Sequence, residues 1–508
     1  MALTLDKTGN NPMSDTINNY LNSGNHYVYF PEGLYYIDKQ INLPSDTLIE
    51  AHPNAKFYDP NYKTTNKHRF FYSKDTVNVH IKGGYIVGNN ANFAYETDGF
   101  AELDDGFDQG CGVYFQNVNF GSVEHMKTCY LNESMVFKWC KEVKATHIRI
   151  DQGSEGGTQT GITIAGGENV HMSNVRCTNG GDGALYIYNG YHNSIRDCVI
   201  INQGSHWNAN CGMETCDHCY IDNVVVQGGA MGFPVVESAR DCTVTNCTAI
   251  DCVLGFIVGP FGIGTPGEDI KFIGCSVINH HAGNESITLP HAGFCLCYYN
   301  VWGANSNKMS NAVQVSNCYF GKSNAGHALH ILAPNDVDLS RVVISNNIFE
   351  GRMYQHATHT TFNTSEKLVV IEGGDGATIS DNVFVLPTNS QTAQIDIQNS
   401  SNIKFLNNTI RSEAANNQVS LNSGCRNCVI AGNSFLNCAS GKSAITLDGT
   451  NNIIRDNDFQ GSGQIISVRN TNNYVMGNVA QNCSNASTFC SSNPMVKNNN
   501  FGSNGTAL

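Results

Sequence analysis

The chain has 508 residues, of which only 14% are charged, and it contains 50 glycines. This turn-rich composition of low charge favours β-structure. The formal net charge of −14 argues against nucleic acid as a partner, because nucleic-acid binding requires a basic face. The sequence has neither an apolar run long enough to span a membrane nor an N-terminal signal segment, so we expect no membrane insertion and no signal peptide in this chain.

The first predicted element is a short amphipathic helix over residues 13–23. Its apolar residues recur at helical spacing, and Ser14 is a candidate N-cap. A helix of this kind, placed ahead of a repetitive β-structure, is suited to covering the open end of the apolar core. We therefore expect residues 1–26 to form an N-terminal cap and residues 27–508 to form a solenoid.

The solenoid is predicted from a short phrase that recurs between Met172 and Asn478. Each copy has an apolar or small residue, any residue, then Asn, Asp or Gly, and finally Cys, Val or Asn. Most steps between copies are between 20 and 30 residues long, and a second short strand follows each copy. This pattern predicts an all-β fold, a right-handed parallel β-helix. A β-sandwich, the rival fold, would not repeat one turn phrase so often.

Two columns of the repeat carry structural predictions. The asparagines of one column are expected to stack their amides from coil to coil and to adopt the left-handed turn conformation; they are Asn347, Asn382, Asn408, Asn433, Asn457 and Asn478. The 20 cysteines are expected to be buried small hydrophobic residues. Their spacing includes no strong zinc signature, so no metal ligand is assigned.

Three stretches break the rhythm and are predicted to be loop insertions, at about 91–142, 279–310 and 351–366. The first holds a cluster of acidic residues, namely Asp98, Glu102, Asp104, Asp105 and Asp108. We expect no cofactor, and Ca²⁺ at this cluster is the one alternative. An ordinary solvated acidic loop is the simpler interpretation.

The opening Tyr29–Ile37, followed by Ile41–Thr47, resembles the start of the pectate lyase-like β-helix superfamily. That opening is shared by phage tailspike depolymerases and related polysaccharide-degrading enzymes. The resemblance implies a polysaccharide partner, a homotrimer, an extracellular or virion-associated location, and a site on one sheet near the middle of the helix. The catalytic motifs of the polygalacturonase-like hydrolases are missing, so the reaction is not implied.

Candidate catalytic residues lie between about 150 and 260. Alternation along the strands predicts that Tyr186 points inward and that Glu214 points outward, in one row with Leu185 and Pro234. Glu214, Asp182 and Glu237 are then candidate carboxylates for glycoside hydrolysis. The candidate substrate-binding residues are His206, Trp207, Tyr188 and Arg196.

Two other functions remain open. One is β-elimination on a uronate polymer, which needs cations or calcium at the sugar carboxylate. No lysine lies between Lys144 and Lys271, which weakens this alternative. The other is a non-catalytic glycan-binding adhesin or fibre.

Overall fold

The structure is a computed structural model of the chain. It describes residues 3–60, 68–88, 110–131, 133–151, 160–179, 183–202, 209–259, 267–280, 292–297, 312–323, 327–335, 337–353, 367–386, 393–412, 417–438, 442–461, 463–483, 488–489 and 495–501. The chain divides into two compact units, Met1–Pro234 and Val235–Leu508.

The first unit contains the predicted helix, which spans Ser14–Asn22. Its strands are Thr8–Pro12, Tyr27–Phe30, Gly33–Tyr36, Ile41–Asn42, Leu48–Tyr58, Phe71–Val87, Cys111–Glu124, Lys127–Cys129, Glu133–Lys138, Lys141–Thr146, Arg149–Asp151, Thr160–Ala165, His171–Ser173, Arg176–Thr178, Gly183–Tyr188, Ser194–Ile201, Ala209–Glu214, Tyr220–Gln227 and Met231–Val236. The division between the units falls within the last of these strands.

Strands and the turns that connect them make up the described residues of the second unit. The strands are Thr243–Thr245, Thr248–Ile250, Leu254–Gly259, Ile270–Ile273, Ser276–Ile278, Ala292–Cys297, Ala312–Ser316, Tyr319–Ser323, His327–Leu332, Arg341–Ser345, Ile348–Met353, Val369–Glu372, Thr378–Ser380, Val383–Leu386, Ile395–Gln398, Lys404–Leu406, Thr409–Ser412, Val419–Leu421, Val429–Ala431, Ser434–Leu436, Ser443–Leu447, Ile453–Arg455, Asp458–Gln460, Gln464–Val468, Tyr474–Met476, Val479–Gln481, Thr488–Phe489 and Met495–Lys497.

Within each unit the strands form three parallel stacks, because each strand pairs with its counterpart in the next coil. We call sheet 1 the stack that contains Gly183–Tyr188 and Ala209–Glu214 in the first unit. In the second unit, sheet 1 contains His327–Leu332, Val369–Glu372 and Ile395–Gln398. Sheet 2 of the first unit contains His171–Ser173 and the start of Ser194–Ile201.

The core of each unit is made by the inward-facing residues of these strands. On sheet 1 of the first unit, Ile162, Leu185 and Cys211 occupy one inward row and are fully buried. In the second unit, phenylalanines stack from coil to coil, with ring centroids 5.0 Å apart for Phe320 and Phe349. Each coil adds buried apolar side chains to this core, and their removal from water supplies the main stabilisation.

The predicted asparagine ladder is confirmed. The backbone N–H and the side-chain Nδ2 of Asn382 both donate to Oδ1 of Asn408, at 2.9 and 3.1 Å. The same pattern repeats down the column and continues one coil further, to Asn499. The assignment of the left-handed conformation was wrong by one residue: it is adopted by the preceding residue, as in Asn407, with a φ of 54°.

The structure corrects the predicted boundaries at the N-terminus. Parallel pairing already begins inside the predicted cap, because Thr8–Pro12 pairs with Gly33–Tyr36. The helix N-cap is Met13 rather than Ser14. The Ser14 side chain is buried, and its hydroxyl accepts a hydrogen bond from the Lys39 backbone N–H.

Two of the predicted insertions contain regular strands. Cys111–Glu124 and Glu133–Lys138 lie within 91–142 and pair in register with each other, so the coils resume well before residue 142. Ala292–Cys297 likewise lies within 279–310. Strand Ile348–Met353 extends into 351–366, and residues 354–366 lie outside the described residues, as does the acidic cluster of the predicted calcium site.

The cysteines behave as predicted wherever the structure describes them. Eighteen are free and buried, and several of their thiols donate to backbone carbonyls, as Cys216 does to Ile187 at 3.1 Å. No helix among the described residues is long and apolar enough to cross a membrane.

Candidate functional site

The candidate site lies on the outward face of sheet 1 in the first unit. Glu214 is the last residue of its strand and is half-buried. Its partner in the preceding coil is Tyr188, also half-buried. The predicted residues Asp182, His206 and Trp207 lie outside the described residues.

The register of this strand differs from the prediction by an odd number of residues. Gly183 pairs with Thr160 and Ala209, which lie one and three residues before Gly161 and Gly212, the glycines with which the prediction had aligned it. A slip by an odd number of residues exchanges the two faces of a strand. The predicted inward position of Tyr186 and the predicted row of Glu214 with Leu185 were therefore wrong.

Tyr186 instead makes the central contact of the site. Its hydroxyl donates a hydrogen bond to Oε2 of Glu214, at 2.8 Å. The ring reaches this position because it crosses Gly212, where an added Cβ would lie only 2.4 Å from Tyr186 Cε2. Glycine at this position is thus required for the phenol to orient the carboxylate.

An exposed aromatic side chain lies beside the same row of residues. Lys138 and Ala165 precede Tyr188 in the row, and Trp139 begins the turn after Lys138. The indole is 48% exposed and packs over Gly166, where an added Cβ would lie 2.5 Å from Trp139 Cδ1. The sequence analysis did not identify Trp139 as a candidate, although a tryptophan followed by Cys at the end of a strand could have indicated it.

A second carboxyl group, Glu133, begins the strand that ends at Lys138. Its side chain is buried, and its Oε2 has no hydrogen-bond partner among the described residues. Burial raises the pKa of Glu133 to about 8, and the nearby Arg69 guanidinium opposes this only in part. Arg69 lies over the rings of Tyr72 and Tyr114, at 4.5 and 4.3 Å from their centroids. Glu133 therefore keeps its proton at neutral pH.

The other described candidates are Arg196 and Glu237. Arg196 lies on sheet 2, where its guanidinium stacks on the ring of Tyr220, 4.4 Å from the centroid. Glu237 belongs to the second unit, where it is buried and has a φ of 56°.

The predicted pairing of Asp182 with Glu214 stays a prediction, because Asp182 lies outside the described residues.

Comparisons with known proteins agree on the fold. A family model described as a right handed beta helix region matches residues 106–249. A search of curated proteins found no significant match.

Solved structures of phage proteins are similar to this chain. The N-terminal fragment of gene product 12 of bacteriophage phi29 is 13% identical, with a TM-score of 0.52, over 96% of this chain and 80% of that one. A mutant tailspike protein of E. coli bacteriophage HK620 is 14% identical, with a TM-score of 0.52, over 85% and 75%. Another HK620 tailspike mutant, solved in complex with a hexasaccharide, is 13% identical, with a TM-score of 0.51, over 85% and 75%. The chain is thus a right-handed parallel β-helix protein, as its resemblance to the pectate lyase-like superfamily predicted.

Proposed function

We propose that the protein binds an extended polysaccharide on the outward face of sheet 1 in the first unit and hydrolyses its glycosidic bonds. The observation that carries the proposal is the 2.8 Å hydrogen bond from the Tyr186 hydroxyl to Glu214 Oε2. A half-buried carboxylate, fixed by a phenol on an outward face, is placed to act as a base or a nucleophile at a sugar.

The surroundings of Glu214 suit a sugar polymer. Tyr188 lies one coil away in the same row, and Trp139 follows the strand three coils away. Coils are about 4.8 Å apart, so Trp139 and Glu214 are separated by roughly 14 Å along the stack. A chain lying along the sheet would meet the exposed indole and the carboxylate in turn, and aromatic rings offer apolar faces to sugar rings.

The similar proteins support the ligand class. One HK620 tailspike mutant was solved in complex with a hexasaccharide, and it has the same fold as this chain. An extracellular or virion-associated location and a homotrimeric assembly are part of the proposal, as the resemblance to tailspike proteins implies. Glu237 stays a predicted catalytic residue.

The test is the Glu214→Gln variant, with the exposed strand residue Glu142 changed to Gln as a matched control. We expect Glu214→Gln to bind a cleavable polysaccharide but to release no new reducing ends, while Glu142→Gln cleaves like the wild type. Normal cleavage by Glu214→Gln would overturn the assigned site. Products that absorb in the ultraviolet through an unsaturated sugar would indicate β-elimination, and binding without cleavage by the wild type would indicate an adhesin.

A further inference from the structure

A cluster of polar side chains lies on the outward face of sheet 1 in the second unit. His330, Val370 and Asp396 occupy one row in three successive coils. Their neighbours along each strand, such as Ile371 and Ile397, point inward and are fully buried. The row therefore faces away from the core, yet each of its three members is less than a tenth exposed.

Asp396 is the best-connected member of this cluster. Its Oδ2 forms an ion pair with Lys367 Nζ and accepts a hydrogen bond from Gln398 Nε2 at 2.5 Å. The side chains of Lys367 and Asp396 are 25% and 10% exposed. Glu372, aligned with Gln398 one coil earlier, is half-buried.

His330 is held without a polar partner. It is 7% exposed, and neither ring nitrogen has a hydrogen-bond partner among the described residues. The His327 ring packs edge-on against it, at 4.8 Å between centroids, and that ring is itself fixed by a 2.6 Å contact from Nδ1 to the Lys367 carbonyl. Burial lowers the pKa of His330 to about 3, so the imidazole is neutral and offers one donor and one acceptor.

We propose that His330, Lys367, Glu372, Asp396 and Gln398 form a second saccharide-binding site, selective for a neutral, hydroxyl-rich sugar. Leaving buried polar groups without partners is costly, and sugar hydroxyls, which both donate and accept, match the buried, unpartnered nitrogens of His330. The sugar would bind along this row. His330 and Asp396 lie two coils apart, about 10 Å, and the apolar side chain of Val370 lies between them.

The charges of the cluster explain the selectivity. The positive charge of Lys367 is balanced by Asp396, and His330 is neutral, so Glu372 leaves the cluster with a net negative charge. A uronate would bring another negative charge into a recessed position of low dielectric, where like charges repel strongly. This inference relies on the proposed function only for the ligand class, because none of its residues takes part in the Glu214 site.

The test is calorimetric binding in the Glu214→Gln background, with maltohexaose, cellohexaose and chitohexaose as neutral probes and hexagalacturonate as the anionic probe. His330→Phe keeps a planar aromatic ring but removes the hydrogen-bonding groups, and Gln398→Ala removes a second polar contact. We expect both variants to weaken binding of at least one neutral probe by tenfold or more, while exposed Arg411→Ala leaves it unchanged. Thermal melting checks that each variant is folded.

Three outcomes would overturn the inference. The first is that no neutral probe binds in a manner sensitive to His330→Phe and Gln398→Ala. The second is that hexagalacturonate binds as tightly as the neutral probes, and the third is that Arg411→Ala has the same effect. Failure of the proposed hydrolysis would appear differently, as unsaturated products or as no new reducing ends from the wild type, and would leave a His330-dependent binding event in place.

Discussion

Replacing Glu133 by glutamine is expected to stabilise the protein at pH 8 and to have little effect at pH 5. Burial raises the pKa of the Glu133 carboxyl from its ordinary value of 4.5 to about 8. In the unfolded chain the same group ionises near its ordinary pKa. Between these two values the folded protein binds more protons at this position than the unfolded chain does.

The sign and size of the effect follow from this difference. The contribution of Glu133 to stability is fully present below pH 4.5, falls as the pH rises, and is lost by about pH 8. At about 1.4 kcal/mol per pH unit, that interval corresponds to roughly 5 kcal/mol as an upper bound. Glutamine has a similar shape and cannot ionise, so the variant escapes this loss.

The assay is denaturant unfolding of the wild type and Glu133→Gln at pH 5 and pH 8, followed by intrinsic fluorescence. The exposed Glu142→Gln serves as the control for removing one negative charge from this acidic chain. We expect the stability advantage of Glu133→Gln to grow by several kcal/mol between the two pH values, and that of Glu142→Gln to stay nearly constant. An advantage that is equal at both pH values would refute the buried, protonated state of Glu133.

Three further predictions concern the site, the ladder and the cysteines. Tyr186→Phe should lower the rate of polysaccharide cleavage about tenfold to a hundredfold without changing the melting temperature, because a hydrogen bond to a charged group contributes about 1.5–3 kcal/mol. An unchanged cleavage rate would contradict the role of the 2.8 Å hydrogen bond from Tyr186 to Glu214. Asn408→Ala should destabilise the second unit by about 3 kcal/mol or more in denaturant unfolding, because it leaves the N–H of Asn382 and the carbonyl of Ile379 without their partner. As the control, exposed Lys404→Ala should change the free energy of unfolding by no more than about 0.5 kcal/mol. A thiol reagent at pH 8 should label at most two of the 20 cysteines in the native protein, because 18 are buried in the structure. Burial also raises the pKa of thiols such as Cys140 and Cys198 to about 12, which keeps them unreactive at this pH. Fast labelling of many thiols would contradict the packed core.

The coil repeat could be predicted because its physical requirements are local and recur in every coil. Asn408 must accept from the coil before it and donate to the coil after it, and no other side chain of that size does both. The column is therefore visible in the sequence without any knowledge of the register between other strands. The same holds for the buried cysteines, which need only be small and apolar.

The register of sheet 1 could not be predicted in the same way. Glycines at 161, 183 and 212 look equivalent in the sequence, but Gly183 pairs with Thr160, and the residues before that strand differ in number from coil to coil. When a coil gains or loses one residue in a turn, the residues expected to point inward in the next strand point outward instead. Tyr186 was consequently placed in the core, and its contact with Glu214 was missed.

Glu133 shows a different limit. Its strand begins with a glutamate that is followed by apolar residues, and a strand that begins with an exposed glutamate has the same sequence pattern. What distinguishes it is its complete burial close to Tyr114, which is itself 1% exposed. No local sequence pattern predicts that the first residue of this strand is buried.

The outward face of sheet 1 is the part of this fold where sequence is free to vary for function. Inward rows such as Ile162 and Leu185 are fixed by packing, and the ladder is fixed by its hydrogen bonds. Buried ionisable groups on the strands of sheet 1 carry a cost in stability that packing of the coils does not require, as the raised pKa of Glu133 and the lowered pKa of His330 show. A cost of this kind is expected where a ligand supplies the missing partners, and it occurs on sheet 1 in each of the two units.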